Sequence, residues 1–193
     1  MDYKTKPISR KDLRAIARWF RHQFKCKNKF RFDVIDAFER IHQLFPQITT
    51  EVVEDESNDV ITDLSVPAAC NPDMKGNYHI AVRERIYEGA CRGVGGYRAH
   101  IMHEICHAIL CLFGFKPDLN LNRAFKNNEI EPRYCSMEWQ AKALAGEILV
   151  PYEETIGMSL RKIRFLCTVS EPLAKYRLFL GEHDGSDPND YNC

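Results

Sequence analysis

The residues best suited to chemistry lie within one pentad, His103-Glu104-Ile105-Cys106-His107. Apolar residues at helical spacing surround it and predict that it lies within a helix. Histidines four positions apart lie about one turn apart on one helix face, so both imidazoles can reach one metal ion. Glu104 lies beside that face, where its carboxylate can take a proton from water and later deliver it to a leaving amine. The pentad therefore predicts a hydrolytic metal site. The simpler alternative is a pair of packed or solvent-facing histidines on an ordinary helix.

A hydrolytic zinc needs a third protein ligand and one open coordination position. The metzincin solution requires Gly at position 110 and His at position 113, where this chain has Leu110 and Phe113, so that subclass is excluded. The other common solution is a carboxylate from a later helix. Four glutamates are candidates for this role: Glu129, Glu131, Glu138 and Glu147.

Glu138 is the expected third ligand. It shares a predicted helix face with apolar residues, and a carboxylate there is costly unless it is paired or bound to metal. Glu147 lies about half a helical rotation away and is expected to point outward. Glu129 and Glu131 lie in a polar loop, where positioning is poor. The alternative for Glu138 is a first-turn glutamate stabilised by the helix dipole.

A family resemblance rests on three segments. The pentad is followed by Glu138–Pro151, which begins with a glutamate and ends in an aliphatic run and a proline. Together with Tyr87-Glu88-Gly89-Ala90, these segments resemble the ImmA/IrrE metallopeptidase family. The resemblance extends over roughly residues 75–180 and reaches the N-terminal helices only in outline.

The resemblance implies a helix-rich, zincin-like α+β domain with a small antiparallel sheet. It implies that His103, His107 and Glu138 bind the metal and that Glu104 is the catalytic base. The expected cofactor is zinc, although two histidines and a carboxylate also suit manganese or iron. The implied activity is a zinc-dependent endopeptidase with a narrow protein substrate, a helix-turn-helix transcriptional repressor of a mobile element or stress regulon.

The remaining elements must position this site. We expect one domain over residues 1–181, with N-terminal helices in 1–46, the sheet and metal-site helices in 47–151, and C-terminal helices in 152–181. Residues 182–193 are polar and predict a flexible tail. Apolar periodicity and capping residues predict helices that begin near Ser9 and over Asp33–Phe45, Tyr97–Phe113, Met137–Val150, Ser159–Leu166 and Ser170–Leu180.

Short β-prone runs between turn residues predict a small antiparallel sheet. A substrate is expected to add to an edge of this sheet, such as Tyr78–Val82. Glycines at positions 89, 93, 95 and 96 predict a flexible segment before the site helix. The predicted strands are Ile48–Val53, Val60–Leu64 and Tyr78–Val82.

Charge is balanced overall, with 27 basic and 27 acidic residues, but it is unevenly distributed. Residues 1–32 carry eleven Lys/Arg and two acids, whereas residues 33–63 carry nine acids and one Arg. The first helix carries a basic stripe. It is most simply a solvated face, partly neutralised by the acidic block. The functional alternative is a docking surface for nucleic acid or an acidic protein. The stripe consists of Arg10, Arg14, Arg18, Arg21 and Lys25.

A second hypothesis for function follows from that stripe. In it the protein is a non-proteolytic module that binds a repressor or DNA, and its metal site is structural or vestigial. Neither an export signal nor a membrane-spanning apolar stretch is visible, which predicts a cytoplasmic protein without membrane contact. The eight cysteines include no Cys-x-x-Cys pair and are expected to be unpaired thiols.

Overall fold

The computed structural model describes residues 3–117 and 133–182. They form eight α-helices and three strands, which confirms the helix-rich α+β class. The predicted tail beyond residue 182 lies outside the described residues. In chain order the elements are α1 (Arg10–Gln23), α2 (Val34–Leu44), β1 (Ile48–Val53), β2 (Ala68–Pro72), β3 (Tyr78–Arg83), α3 (Glu84–Cys91), α4 (Gly95–Leu112), a short 3-10 helix (Arg133–Cys135), α5 (Met137–Leu149), α6 (Tyr152–Thr155), α7 (Leu160–Cys167) and α8 (Glu171–Glu182).

The sheet is mixed, so the prediction of an antiparallel sheet was wrong for one of its two pairs. β3 lies in the centre, pairs in parallel with β1 and pairs antiparallel with β2. After β1 the chain crosses to the far side of the sheet, forms β2 there and returns as β3. The two edges of the sheet are therefore β1 and β2, and the expected edge strand Tyr78–Val82 is the central one.

The predicted strand Val60–Leu64 is absent, and the buried side chain of Arg83 explains why. Carbonyls of Ile61 and Asp63 accept hydrogen bonds from its guanidinium, at 3.0 and 3.2 Å, instead of facing another strand. Arg83 is fully buried, and one Arg offers five donors to such a loop. The same guanidinium binds further carbonyls of this segment, those of Glu54, Asp55, Ser57 and Val66.

The N-terminal helices begin where capping residues predict. The Ser9 side chain accepts the backbone N–H of Asp12 at 3.1 Å, and Asp33 caps α2 in the same way through Asp36. Both helices bury apolar faces in the main core, and α1 packs against α5. The two predicted C-terminal helices are confirmed as α7 and α8.

Helices occupy both ends of the predicted flexible, glycine-rich segment: Gly89 lies in α3, and Gly95 and Gly96 begin α4. A Cβ atom at Gly89 would lie 2.0 Å from Cδ2 of Tyr97. The glycine therefore lets the Tyr97 ring pack directly on the helix backbone. The packing of α3 against α4 outweighs the weak helix propensity of glycine.

Helix α4 carries the pentad and is embedded in the core. Ile101 and Ile105 are fully buried, and the helix contacts α5, α3, β2, α2 and β3. It ends as predicted, because Gly114 follows with a φ of +89°. Helices and strands therefore pack against α4 on several sides.

Within the described ranges, no helix has the length and apolar character required to cross a membrane. The seven described cysteines are free thiols, as expected from the sequence.

Candidate metal centre

Helix α4 places the two histidines of the pentad side by side. His103 and His107 keep 17% and 12% of their side chains exposed. Their neighbours Ile105 and Ala108 are completely buried and anchor the helix. The two Nε2 atoms face each other at 3.1 Å. The predicted one-turn spacing thus directs both imidazoles to one point.

Helix α5 brings Glu138 to the same point. The helix begins beside it, where the Ser136 side chain accepts the backbone N–H of Trp139 at 3.0 Å. Glu138 Oε2 lies 3.3 Å from His103 Nε2, and Oε1 lies 3.3 Å from His107 Nε2. Hydrogen bonds with His103 and then His107 hold the pKa of the Glu138 carboxyl far below its usual range.

The three side chains fit a metal ion in both chemistry and spacing. Two imidazoles and one carboxylate are a known donor set for hydrolytic zinc. Tetrahedral ligand atoms at roughly 2.0–2.1 Å from zinc lie about 3.3–3.4 Å from one another. The two Nε2 atoms lie 3.1 Å apart, and each lies 3.3 Å from a different oxygen of Glu138, so each of these separations is close to that spacing. Among the described residues, His103, His107 and Glu138 are the group of three whose ligand atoms, one from each residue, all lie within 4.8 Å of one another.

Glu104 lies beside this cluster and opposite β2. Burial raises the pKa of the Glu104 carboxyl, against the opposing charges of His103 and His107. The Cys70 backbone N–H, on β2, lies close enough to favour the ionised carboxylate by a smaller amount. Glu104 is therefore a carboxylate in a partly desolvated position next to the three candidate ligands.

Two cavities flank the cluster. The first has a volume of about 850 Å³ and is lined by Glu104, His107, Glu138 and the edge strand β2. The second, about 490 Å³, lies on the His103 side between α4, α5 and the start of α8. The cluster is therefore bordered by a cavity on each side. In the part of the chain that the structure describes, the tyrosines lining these cavities are Tyr3, Tyr78 and Tyr176.

The structure corrects the prediction for Glu147. This residue does not point outward, because its side chain is only 2% exposed. Helix α1 covers that face of α5, and three guanidinium groups meet the carboxylate. Arg177 binds Oε2 at 2.8 Å, while Arg10 and Arg14 each lie 3.6 Å from Oε1. Glu147 therefore belongs to a buried ionic cluster and not to the metal site.

The same contacts correct both interpretations of the basic stripe. Arg10 and Arg21 are buried, and Arg14 is mostly covered. Arg21 donates to the carbonyl oxygens of Ile148, Asn28 and Lys29. The neutralising acids, Glu147 and Glu153, come from α5 and α6 and not from the acidic block of residues 33–63. Three of the five residues are therefore largely covered, whereas Arg18 and Lys25 stay exposed, so the stripe does not form one continuous solvated face. The prediction of a docking surface for nucleic acid can rest on Arg18 and Lys25 alone.

Sequence reasoning missed the strand beside the site. Ala68–Pro72 has weak β-propensity and ends in proline, so its composition gives little signal for a strand. It also missed Lys142, one turn after Glu138, whose Nζ lies 3.7 Å from Glu138 Oε2. The i, i+4 spacing is the signal that predicts this pair. The other two candidate ligands, Glu129 and Glu131, lie outside the described residues.

Comparison with known proteins shows a similarity of fold. No family model matches the sequence, and no curated protein matches it. A solved structure of a Mycobacterium tuberculosis transcriptional regulator is similar, with a TM-score of 0.54 and 14% sequence identity. The likeness covers 86% of this chain and 46% of that one, so this chain spans less than half the length of the regulator. At this identity the comparison shows a shared fold.

Proposed function

We propose that this protein is a zinc-dependent endopeptidase of zincin-like fold, in which His103, His107 and Glu138 hold the metal. One observation carries the proposal: one ligand atom from each of His103, His107 and Glu138 lies within 4.8 Å of the other two, and Glu104 lines the same cavity as His107 and Glu138. A purely structural site with these ligands has no need for an adjacent, partly buried carboxylate. The resemblance to the ImmA/IrrE metallopeptidases assigns the same residues to the same roles.

The residues of this chain divide the chemistry between them. Zinc, when bound, supplies Lewis acidity for the scissile carbonyl and acidifies water. A Glu104 carboxylate oxygen takes the proton from the attacking water and delivers it to the departing amine nitrogen. His103 and His107 must be unprotonated at Nε2 to bind the metal. Manganese or iron also suits this donor set.

The substrate in this proposal is a protein segment bound in extended form along β2. This strand is a free edge of the sheet and lines the larger cavity with Glu104 and Glu138. Strand addition at an edge gives main-chain hydrogen bonds, while side-chain pockets give selectivity. β2 thus replaces the edge at Tyr78–Val82 that the sequence suggested. By the family resemblance, the target is a helix-turn-helix transcriptional repressor.

The rival proposal is a non-proteolytic regulatory module. Its DNA-binding form depended on the basic stripe of α1, which is mainly buried. A repressor-binding form does not need the stripe. The similar M. tuberculosis structure is that of a transcriptional regulator, which is compatible with either a repressor protease or a repressor-binding module.

The deciding experiment compares wild-type protein with Glu104→Gln and Glu138→Gln. Metal content per chain is measured by mass spectrometry, and each protein is incubated with a peptide library from a digested bacterial proteome. We expect about one zinc per chain in wild type and in Glu104→Gln, and much less in Glu138→Gln. New peptide termini should form with wild type alone. Equal cleavage by Glu104→Gln would refute the mechanism, and metal-loaded wild type without any cleavage would favour the binding module.

A further inference from the structure

The second edge of the sheet, β1, presents unsatisfied backbone groups. The Tyr78 N–H donates to the Gln47 carbonyl at 2.8 Å. Because alternate residues of a parallel strand face the partner, Thr49 and Glu51 also bond to β3. Thr50 and Val52 therefore direct their N–H and C=O groups away from the sheet. Outside the sheet ladders, no backbone hydrogen bond among residues 3–117 and 133–182 involves Thr50 or Val52.

A recess lies along this edge. Its volume is about 520 Å³, and it is bounded by Thr49–Val52, by α2 and by Tyr87 of α3. The Phe38 and Tyr87 rings pack together at 5.9 Å between centroids and give it an apolar wall. Val52 is 40% exposed at its margin. The recess can therefore receive an apolar side chain from a strand added to β1.

Two carboxylates give this edge an acidic character. Glu39 lines the recess and accepts the Tyr87 hydroxyl at 2.6 Å. Glu51 lies on the other face of the sheet, where it contacts His79 Nε2 at 3.0 Å. Neither carboxylate pairs with a Lys or Arg among the described residues. Successive side chains of an added strand point to opposite faces, so the basic side chains of an alternating segment can meet Glu51 on one face while its apolar side chains enter the recess on the other.

Edge strands are usually protected against pairing by lysine, proline, a bulge or short length. The six residues of β1 contain neither lysine nor proline, and five of them are β-branched: Ile48, Thr49, Thr50, Val52 and Val53. A second copy of this chain is a poor occupant, because pairing two β1 edges brings their carboxylates together. A basic segment offers the complementary charge.

We infer that the β1 edge and its recess form a second docking surface, which binds an extended basic segment of a partner protein by strand addition. The segment alternates Lys or Arg with β-branched or other apolar residues. The partner strand takes its main-chain hydrogen bonds from Thr50 and Val52. This surface is separated from β2 by the central strand, and it requires neither the metal nor the proposed peptidase activity.

The test uses a fluorescein-labelled peptide of sequence Lys-Val-Arg-Val-Lys-Val, and Glu-Val-Glu-Val-Glu-Val as its acidic counterpart. Binding is followed by fluorescence anisotropy with a chelator present, so the result does not depend on the metal site. Hydrogen–deuterium exchange then locates the contact. We expect the basic peptide to bind and to protect residues 48–53, with no protection of residues 68–72. The acidic peptide should not bind.

Glu51→Lys should weaken binding of the basic peptide about tenfold, because an attraction becomes a repulsion. Glu56→Lys is the matched control: it makes the same change in the acidic block, outside the recess, and should alter binding less than about twofold. Equal effects of the two variants would overturn the assignment, and so would protection at β2 or no binding at roughly 1 mM peptide. A wild-type dimer in sedimentation velocity that Glu51→Lys abolishes would assign the edge to a second copy instead.

Discussion

Two glutamates on one helix have opposite surroundings. Glu138 and Glu147 both lie on α5, nine residues apart, yet their side chains are 37% and 2% exposed. Glu138 faces two imidazoles that can also bind a metal, and it lines a cavity. Glu147 faces three guanidinium groups from α1 and α8. The helix sets the phase of each residue, but the neighbouring helices determine what each carboxylate does.

The partners of Glu138 can bind a metal together with it, whereas the partners of Glu147 hold its carboxylate permanently. An imidazole can give up its proton and bind a metal, so a carboxylate beside two imidazoles can share a cation with them. Guanidinium groups stay charged at all accessible pH values and saturate the carboxylate that they surround. Glu138 is therefore suited to ligand binding, whereas Glu147 is suited to holding α1, α5 and α8 together.

The largest expected effect is on stability, in Glu147→Gln. Removing one partner of a buried ionic cluster leaves the other charges uncompensated, which costs about 3–5 kcal/mol. Arg10, Arg14 and Arg177 all remain in place in this variant. We expect a decrease of that size in the free energy of unfolding, measured by urea denaturation with a chelator present.

Glu138→Gln is the matched control, since it makes the same chemical change on the same helix. In metal-free protein its unfolding free energy should stay within about 1 kcal/mol of wild type, because the side chain is partly exposed. If both variants lost the same stability, the distinction between an ionic cluster and a ligand site would fail.

The second effect is on zinc affinity, where Glu138→Gln should be the more damaging of the two variants. Glu138→Gln should lose zinc affinity by more than the roughly 10–100-fold that follows loss of an outer contact to a metal ligand. Glu147→Gln, where folded, should keep its affinity within about threefold of wild type. Competition with a chromophoric chelator measures both constants. A Glu138→Gln protein that still bound zinc like wild type would remove Glu138 from the ligand set.

Metal removal gives a third, somewhat smaller effect. A metal that binds only the folded state stabilises it by about 2.7 kcal/mol at a free concentration of 100 Kd. We expect wild type to unfold at lower temperature after chelation, and zinc to restore the original midpoint. The thermal midpoint of Glu138→Gln should respond little to either treatment. An equal response in that variant would indicate a metal site elsewhere in the protein.

The sequence was sufficient to predict that His103, His107 and Glu138 meet, because their grouping depends on local periodicity. His103 and His107 are related by one turn of a helix, and the apolar stripe of α5 selects Glu138 from four glutamates. The same reasoning failed for Glu147, since phase alone cannot show that α1 covers the opposite face of α5. A helix with neighbours on two sides has two inward faces.

Non-local contacts also explain the errors in the sheet. Val60–Leu64 has the composition of a strand, but its carbonyls bind the Arg83 guanidinium, which lies about 20 residues later in the chain. Ala68–Pro72 has a poor composition for a strand, but it forms one because it pairs antiparallel with β3. Neither outcome depends on the local sequence of the segment itself.

The smallest expected effect concerns Lys142, an exposed cation beside Glu138. Its Nζ lies 3.7 Å from Oε2, and 70% of its side chain is exposed. Exposed pairs contribute little, and a positive charge beside the ligands opposes cation binding. Lys142→Gln should therefore raise zinc affinity by no more than about threefold at low salt, and the difference should vanish near 0.5 M salt, where the Debye length is only a few ångströms. A tenfold loss of affinity would instead show that Lys142 orients the carboxylate. Cations would then hold both glutamates of α5 in place, and Glu138 would differ from Glu147 only in how strongly they do so.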